Sequence, residues 1–141
     1  IIAELYTGYP LFPGEDEVEQ LAYIMEIYGV PEREVIKLAT RGHLFFHKNG
    51  DPILSANSKG KTRKPLAKKL SNVLRCDDDN FLDFLNKCFI WNPMERMSPL
   101  EALQHPWILE GLPEKVLKHH TKMFGNTDNN ETLKKATLTA V

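Results

Sequence analysis

Val18, Leu21, Ala22, Met25 and Tyr28 recur at i, i+3, i+4, i+7 and i+10, the spacing of one helix face. Asp16 stands before them as N-cap with Glu19 three residues on, the spacing of a capping box. Gly29 and Pro31 end the run, because glycine accepts a left-handed terminus and proline cannot continue the ladder. Ile24 and Ile27 widen the face, which implies burial against more than one neighbour. A chain built around such a segment folds as packed helices.

The rest of the sequence repeats that logic in shorter pieces. Ile1–Leu5 reads as the tail of a helix that starts upstream, so a piece of a longer polypeptide is expected. A short helix is expected over Glu32–Ala39, then a strand at Leu44-Phe45-Phe46 with Asn49-Gly50-Asp51-Pro52 as its turn. Ser55–Lys69 is polar, basic and irregular, and reads as a surface insertion. Asp77, Asp78 and Asp79 suit a helix N-terminus. Phe81, Phe84, Leu85 and Cys88 supply the stripe of that helix, with Asn92-Pro93 expected to close it. Ser98, Pro99 and Glu101 start another, which His105-Pro106 ends. Beyond Pro113 the residues predict one or two amphipathic turns (Val116, Leu117, Phe124) and then a mobile polar tail.

Net charge is only −1, but it is strongly segregated. Residues 1–34 carry 8 acids and 1 base, and residues 35–75 carry 1 acid and 10 bases. Residues 76–113 return to 7 acids against 2 bases. The basic block from Lys59 to Lys69 could grip phosphate. Aromatic residues that would stack on bases are absent between Phe46 and Phe81, so an acidic or phosphorylated protein is favoured over nucleic acid. Apolar runs are too short to span a bilayer, so no membrane partner is expected. The two cysteines, Cys76 and Cys88, suit a reducing compartment, the cytoplasm or the nucleus.

Chemistry-bearing motifs are mostly missing. No two glycines have the spacing of G-x-G-x-x-G or of a Walker loop. G-x-S-x-G does not occur. His43 and His47 are four apart but lack the glutamate of a zincin helix. The Asp77–Asn80 cluster has Leu82 where a calcium loop needs glycine. No metal-binding, cofactor-binding or catalytic residue is therefore expected in this stretch.

One ordered series is far more specific. Leu11-Phe12-Pro13-Gly14 precedes Glu15-Asp16-Glu17-Val18-Glu19-Gln20-Leu21. Some sixty residues on come Phe81-Leu82-Asp83-Phe84-Leu85, Cys88, Trp91-Asn92-Pro93, Arg96-Met97-Ser98-Pro99, Ala102-Leu103 and His105-Pro106-Trp107. Together they closely resemble the end of the catalytic domain of the dual-specificity tyrosine-regulated (DYRK) protein kinases, in the CMGC group. Phe45-Phe46 and Ser58-Lys59-Gly60-Lys61 resemble that family's class II branch. Asn92 stands where the family usually has Asp, and Phe89-Ile90 varies a Leu-rich pattern.

The resemblance implies a mainly α fold, the C-terminal half of a kinase C-lobe over residues 1–113. Within it the CMGC insertion would cover about 32–75, and helices would cover 80–90 and 98–104. Residues 114–141 would be the polar tail, and residues 17–28 a helix whose outer surface serves docking. It further implies that Arg96 anchors the activation segment by a buried pair with the Glu of an Ala-Pro-Glu motif. The intact enzyme would use ATP and Mg²⁺ to phosphorylate Ser/Thr of protein substrates and a tyrosine of its own. This stretch would bind neither ATP nor Mg²⁺ and would be inactive alone, because none of the five histidines begins His-Arg-Asp. Its first partner would be the N-terminal part of the kinase domain. The alternative is a non-catalytic helical interaction module, a pseudokinase or truncated kinase end that binds partners through the basic insertion.

Overall fold

The computed structural model describes residues 1–125. Packing divides the chain into two units, Ile1–Met97 and the part from Ser98 onward.

The first unit holds α1 (Ile2–Thr7), α2 (Glu17–Tyr28), α3 (Arg33–Leu38), α4 (Leu70–Leu74) and α5 (Asp79–Cys88). Asp16 caps α2 by accepting from the Glu19 N–H at 2.8 Å. The return bond of a capping box slips by one residue: the Glu19 carboxylate accepts from the Glu15 N–H at 2.9 Å. Asp78 caps α5 in the same way through the Phe81 N–H. The buried apolar residues are Ala3, Ala22, Met25, Phe46, Leu70, Leu74, Cys76, Phe81, Phe84 and Leu85. They lie chiefly on α1, α2, α4 and α5. Ring contacts tie these elements together: Tyr6 to Phe81 at 5.2 Å, Phe12 to Phe89 at 5.3 Å and Tyr28 to Phe89 at 5.2 Å.

Two local expectations are corrected here. Leu44-Phe45-Phe46 is not a strand: Gly42–Leu44 is a 3-10 turn, and only Phe46 pairs, in a single bridge with Pro52. Proline has no N–H to give, so the pairing stops after His47 bonds Asp51 and Ile53 bonds Phe45, both at 2.8 Å. Asn92-Pro93 does not close α5, which ends at Cys88. Asn92 organises a turn of its own, its side-chain oxygen accepting from the Met94 N–H at 3.0 Å.

The second unit begins with α6 (Pro99–Leu103), which has a complete capping box. Ser98 Oγ accepts from the Glu101 N–H, and the Glu101 carboxylate accepts from the Ser98 N–H. Ser98→Ala is therefore expected to cost about 0.5–2 kcal/mol, measured as a lowered thermal midpoint. His105-Pro106 ends α6 and also starts α7 (Pro106–Glu110), where His105 Nδ1 accepts from the Trp107 N–H. Residues 114–124, where one or two amphipathic turns are expected before the tail, are helical throughout. They form the three-turn α8 (Glu114–Phe124), supported by a Glu114–Lys118 pair at 2.6 Å. The remaining tail, 126–141, lies outside the described residues.

Candidate functional site

Of the three carboxylates on helix α2, Glu19 and Glu26 lie seven residues apart and hence on one face, with Tyr23 between them. Both glutamates are buried. The sequence supplies their counter-charge from the basic insertion, where Arg63 is 6% exposed. Its Nη1 donates to Glu26 at 3.1 Å and its Nη2 to Glu19 at 3.3 Å. The guanidinium carbon sits 3.3 Å from the centre of the Tyr23 ring. Lys68 adds a second cation to Glu26 at 3.1 Å.

The insertion is also strapped to α2 through backbone and short polar contacts. Leu66 N–H donates to the Met25 carbonyl, which also accepts from the Gly29 N–H, and Lys68 N–H donates to the Glu26 carbonyl; the Leu66 and Lys68 bonds are both 3.0 Å. At the other end Asn57 donates to Glu19 at 2.8 Å and Ser58 Oγ to Glu15 at 2.6 Å. Gly29, at φ +74°, lets Leu66 approach closely, since a Cβ there would lie 3.2 Å from the Leu66 side chain. The Glu19 carboxyl is held below the usual range, first by the Glu15 N–H and then by Asn57 and Arg63, against the opposing effect of burial.

The expectation of an irregular basic surface loop is thus corrected at Arg63, which turns inward. Local composition hides this, because Arg63 lies among Lys59, Lys61 and Lys64, all exposed. The available signal was on α2: two acids at i and i+7 beside buried Ala22 demand a buried cation.

Arg96 sits in the loop after α5 and is exposed. Its Nε donates to the Ile90 carbonyl at 2.8 Å and its Nη2 to that of Trp91 at 3.1 Å. These bonds fix the guanidinium, and no carboxylate is paired with it among the described residues. His43 and His47 are exposed, and no group of three or more His, Cys, Asp or Glu could hold a metal ion among the described residues. Cys76 is buried and Cys88 half-buried, both as free thiols; burial pushes the Cys88 thiol up. No helix of the described residues is long and apolar enough to cross a membrane.

These helices are those of the C-terminal part of a protein-kinase C-lobe, carrying an insertion between α2 and α5. No protein-family profile matches the chain. Over 108 residues, 77% of its length, it is 51% identical to dual specificity tyrosine-phosphorylation-regulated kinase 2 of Drosophila melanogaster. Over the same share it is 54% identical to dual specificity tyrosine-phosphorylation-regulated kinase 4 of Homo sapiens, and 50% identical to the DYRK-family kinase pom1 of Schizosaccharomyces pombe. The chain belongs to the DYRK family of protein kinases. It spans 15%, 21% and 10% of the length of these three relatives.

Proposed function

We propose that this chain is the supporting part of a class II dual-specificity kinase, cytoplasmic or nuclear. The whole enzyme transfers the γ-phosphate of ATP, with Mg²⁺, to Ser/Thr of proteins and to a tyrosine in its own activation segment. The ordered motifs from Phe81 to Trp107, within 50–54% identity to named DYRK kinases, carry this reading.

The described residues do not fit an ATP or Mg²⁺ site: they offer neither a phosphate-cradling glycine loop nor a cluster of metal ligands. No step of phosphoryl transfer is therefore assigned to them. Their work is mechanical. Helix α2 and the strapped insertion form a substrate-side wall, and Arg96 holds the activation segment by pairing with a carboxylate from elsewhere in the polypeptide. The two carbonyls at Ile90 and Trp91 support this role, because they orient the guanidinium while leaving it exposed to a partner. Residues 114–141 are proposed to follow the lobe rather than belong to it.

The test is a phosphotransfer assay on the full-length protein with Mg·ATP and protein substrates. Phosphoserine or phosphothreonine on the substrate and phosphotyrosine on the enzyme are expected. A well-folded full-length protein that incorporates no phosphate would overturn the proposal.

A further inference from the structure

Two hydroxyls stand in the basic part of the insertion, Ser58 and Thr62, and folding treats them differently. Ser58 lies at the tip of a tight turn, closed by the Gly60 N–H on the Asn57 carbonyl at 2.8 Å. The Asn57 side chain braces that turn by accepting from the Lys59 and Lys61 N–H groups at 3.0 and 2.9 Å. Ser58 Oγ itself donates to Glu15 at 2.6 Å. Thr62 follows the turn, belongs to no helix, strand or turn, and is exposed. Its hydroxyl has no hydrogen-bond partner among the described residues.

The charges around Thr62 define what recognises it. Lys59 stands three residues before it, Lys61 one before, and Arg63 and Lys64 directly after. Arg63 turns inward to Glu19 and Glu26. Lys59, Lys61 and Lys64 are exposed and make no ion pair among the described residues. Covering them without counter-charge would bury three ammonium groups, so this loop stays in water. An enzyme that accepts Thr62 therefore needs an acidic groove for the lysines, which is a common basis of kinase–substrate selection.

We propose that Thr62 is a phosphorylation site for a separate, basic-directed Ser/Thr protein kinase. Its Oγ1 attacks the γ-phosphorus of ATP, the bond from that phosphorus to the β–γ bridging oxygen breaks, and ADP leaves. The hydroxyl proton passes to the catalytic aspartate of the attacking kinase. The phosphate adds a charge of about −2, which offsets two of the three exposed lysines and weakens the pull of the insertion on acidic partners. This is independent of phosphotransfer by the intact protein and does not involve Arg96.

The test incubates the full-length protein with Mg·ATP and the catalytic subunit of cyclic-AMP-dependent protein kinase as the basic-directed probe. Tandem mass spectrometry maps the phosphate, and samples without added kinase report self-phosphorylation. Phosphate on Thr62 of the native protein is expected, with Ser58 unmodified. Thr62→Val should remove it and leave the melting temperature unchanged. Lys59→Gln combined with Lys61→Gln should slow it about tenfold. Absence of phosphate on Thr62, labelling only after heat denaturation, equal labelling of Ser58, or a rate indifferent to the two lysines overturns the proposal. Thr62 phosphate that forms equally without added kinase would assign the step to the protein itself and overturns it as well.

Discussion

Arg63→Ala is expected to destabilise the protein by about 3–5 kcal/mol, because it removes the main counter-charge from two buried carboxylates. Lys68 could compensate only at Glu26, and it is itself 41% exposed. Arg63→Lys should recover little, since an ammonium cannot reach Glu19 and Glu26 with two arms while lying flat on Tyr23. The informative control is Arg63→Met combined with Glu19→Gln and Glu26→Gln, which removes all three charges together. That triple variant should regain most of the lost stability, as buried ion clusters replaced by neutral groups often do. Denaturant unfolding reads each variant. A loss below about 1 kcal/mol for Arg63→Ala would mean that the cluster behaves as a solvated surface pair.

The second large effect is expected at Arg96, and it depends on context. In the described residues Arg96 is exposed and bonds only two backbone carbonyls, so on these contacts alone Arg96→Ala should cost about 1 kcal/mol or less. In the full-length protein the same substitution should cost about 3–5 kcal/mol, because the proposed carboxylate partner would be left buried and unpaired. Arg96→Lys should fail to rescue, since a point ammonium lacks the planar fork whose Nε and Nη2 reach two carbonyls while a further edge faces a carboxylate. Thermal unfolding of the 141-residue chain and of the full-length protein, each with and without the substitution, checks the difference. Equal small losses in both would count against the anchoring role.

Particular residues show which parts of the fold were legible in the sequence. Helices α2, α5 and α6 were readable because cap and periodicity agree in each: Asp16 with Met25, Asp78 with Phe81 and Phe84, Ser98 with Glu101. Shorter pieces were misread where one residue serves two elements. His105 and Pro106 close α6 and also open α7, and a stop signal alone conceals the start. Phe45 and Phe46 have strand-forming side chains, but Pro52 opposite them limits pairing to one bridge. Helix α8 was curtailed because its polar composition outweighed the Glu114–Lys118 spacing.

The candidate site was legible on its helix and illegible on its insertion. Glu19, Tyr23 and Glu26 fall on one face by arithmetic, whereas the closure that brings Arg63 to them spans 44 residues from Glu19 and follows no local rule. Arg96 could be singled out only through the family resemblance, because spacing within the chain names no carboxylate for it.

Photoaffinity labelling of the full-length protein with an azido-ATP, followed by peptide mapping, bears most directly on the idea that this stretch supports phosphotransfer without performing it. Label that unmodified ATP competes away should map entirely outside residues 1–141. Competable label on a peptide from within them, lost on substitution of a residue there, would contradict that idea.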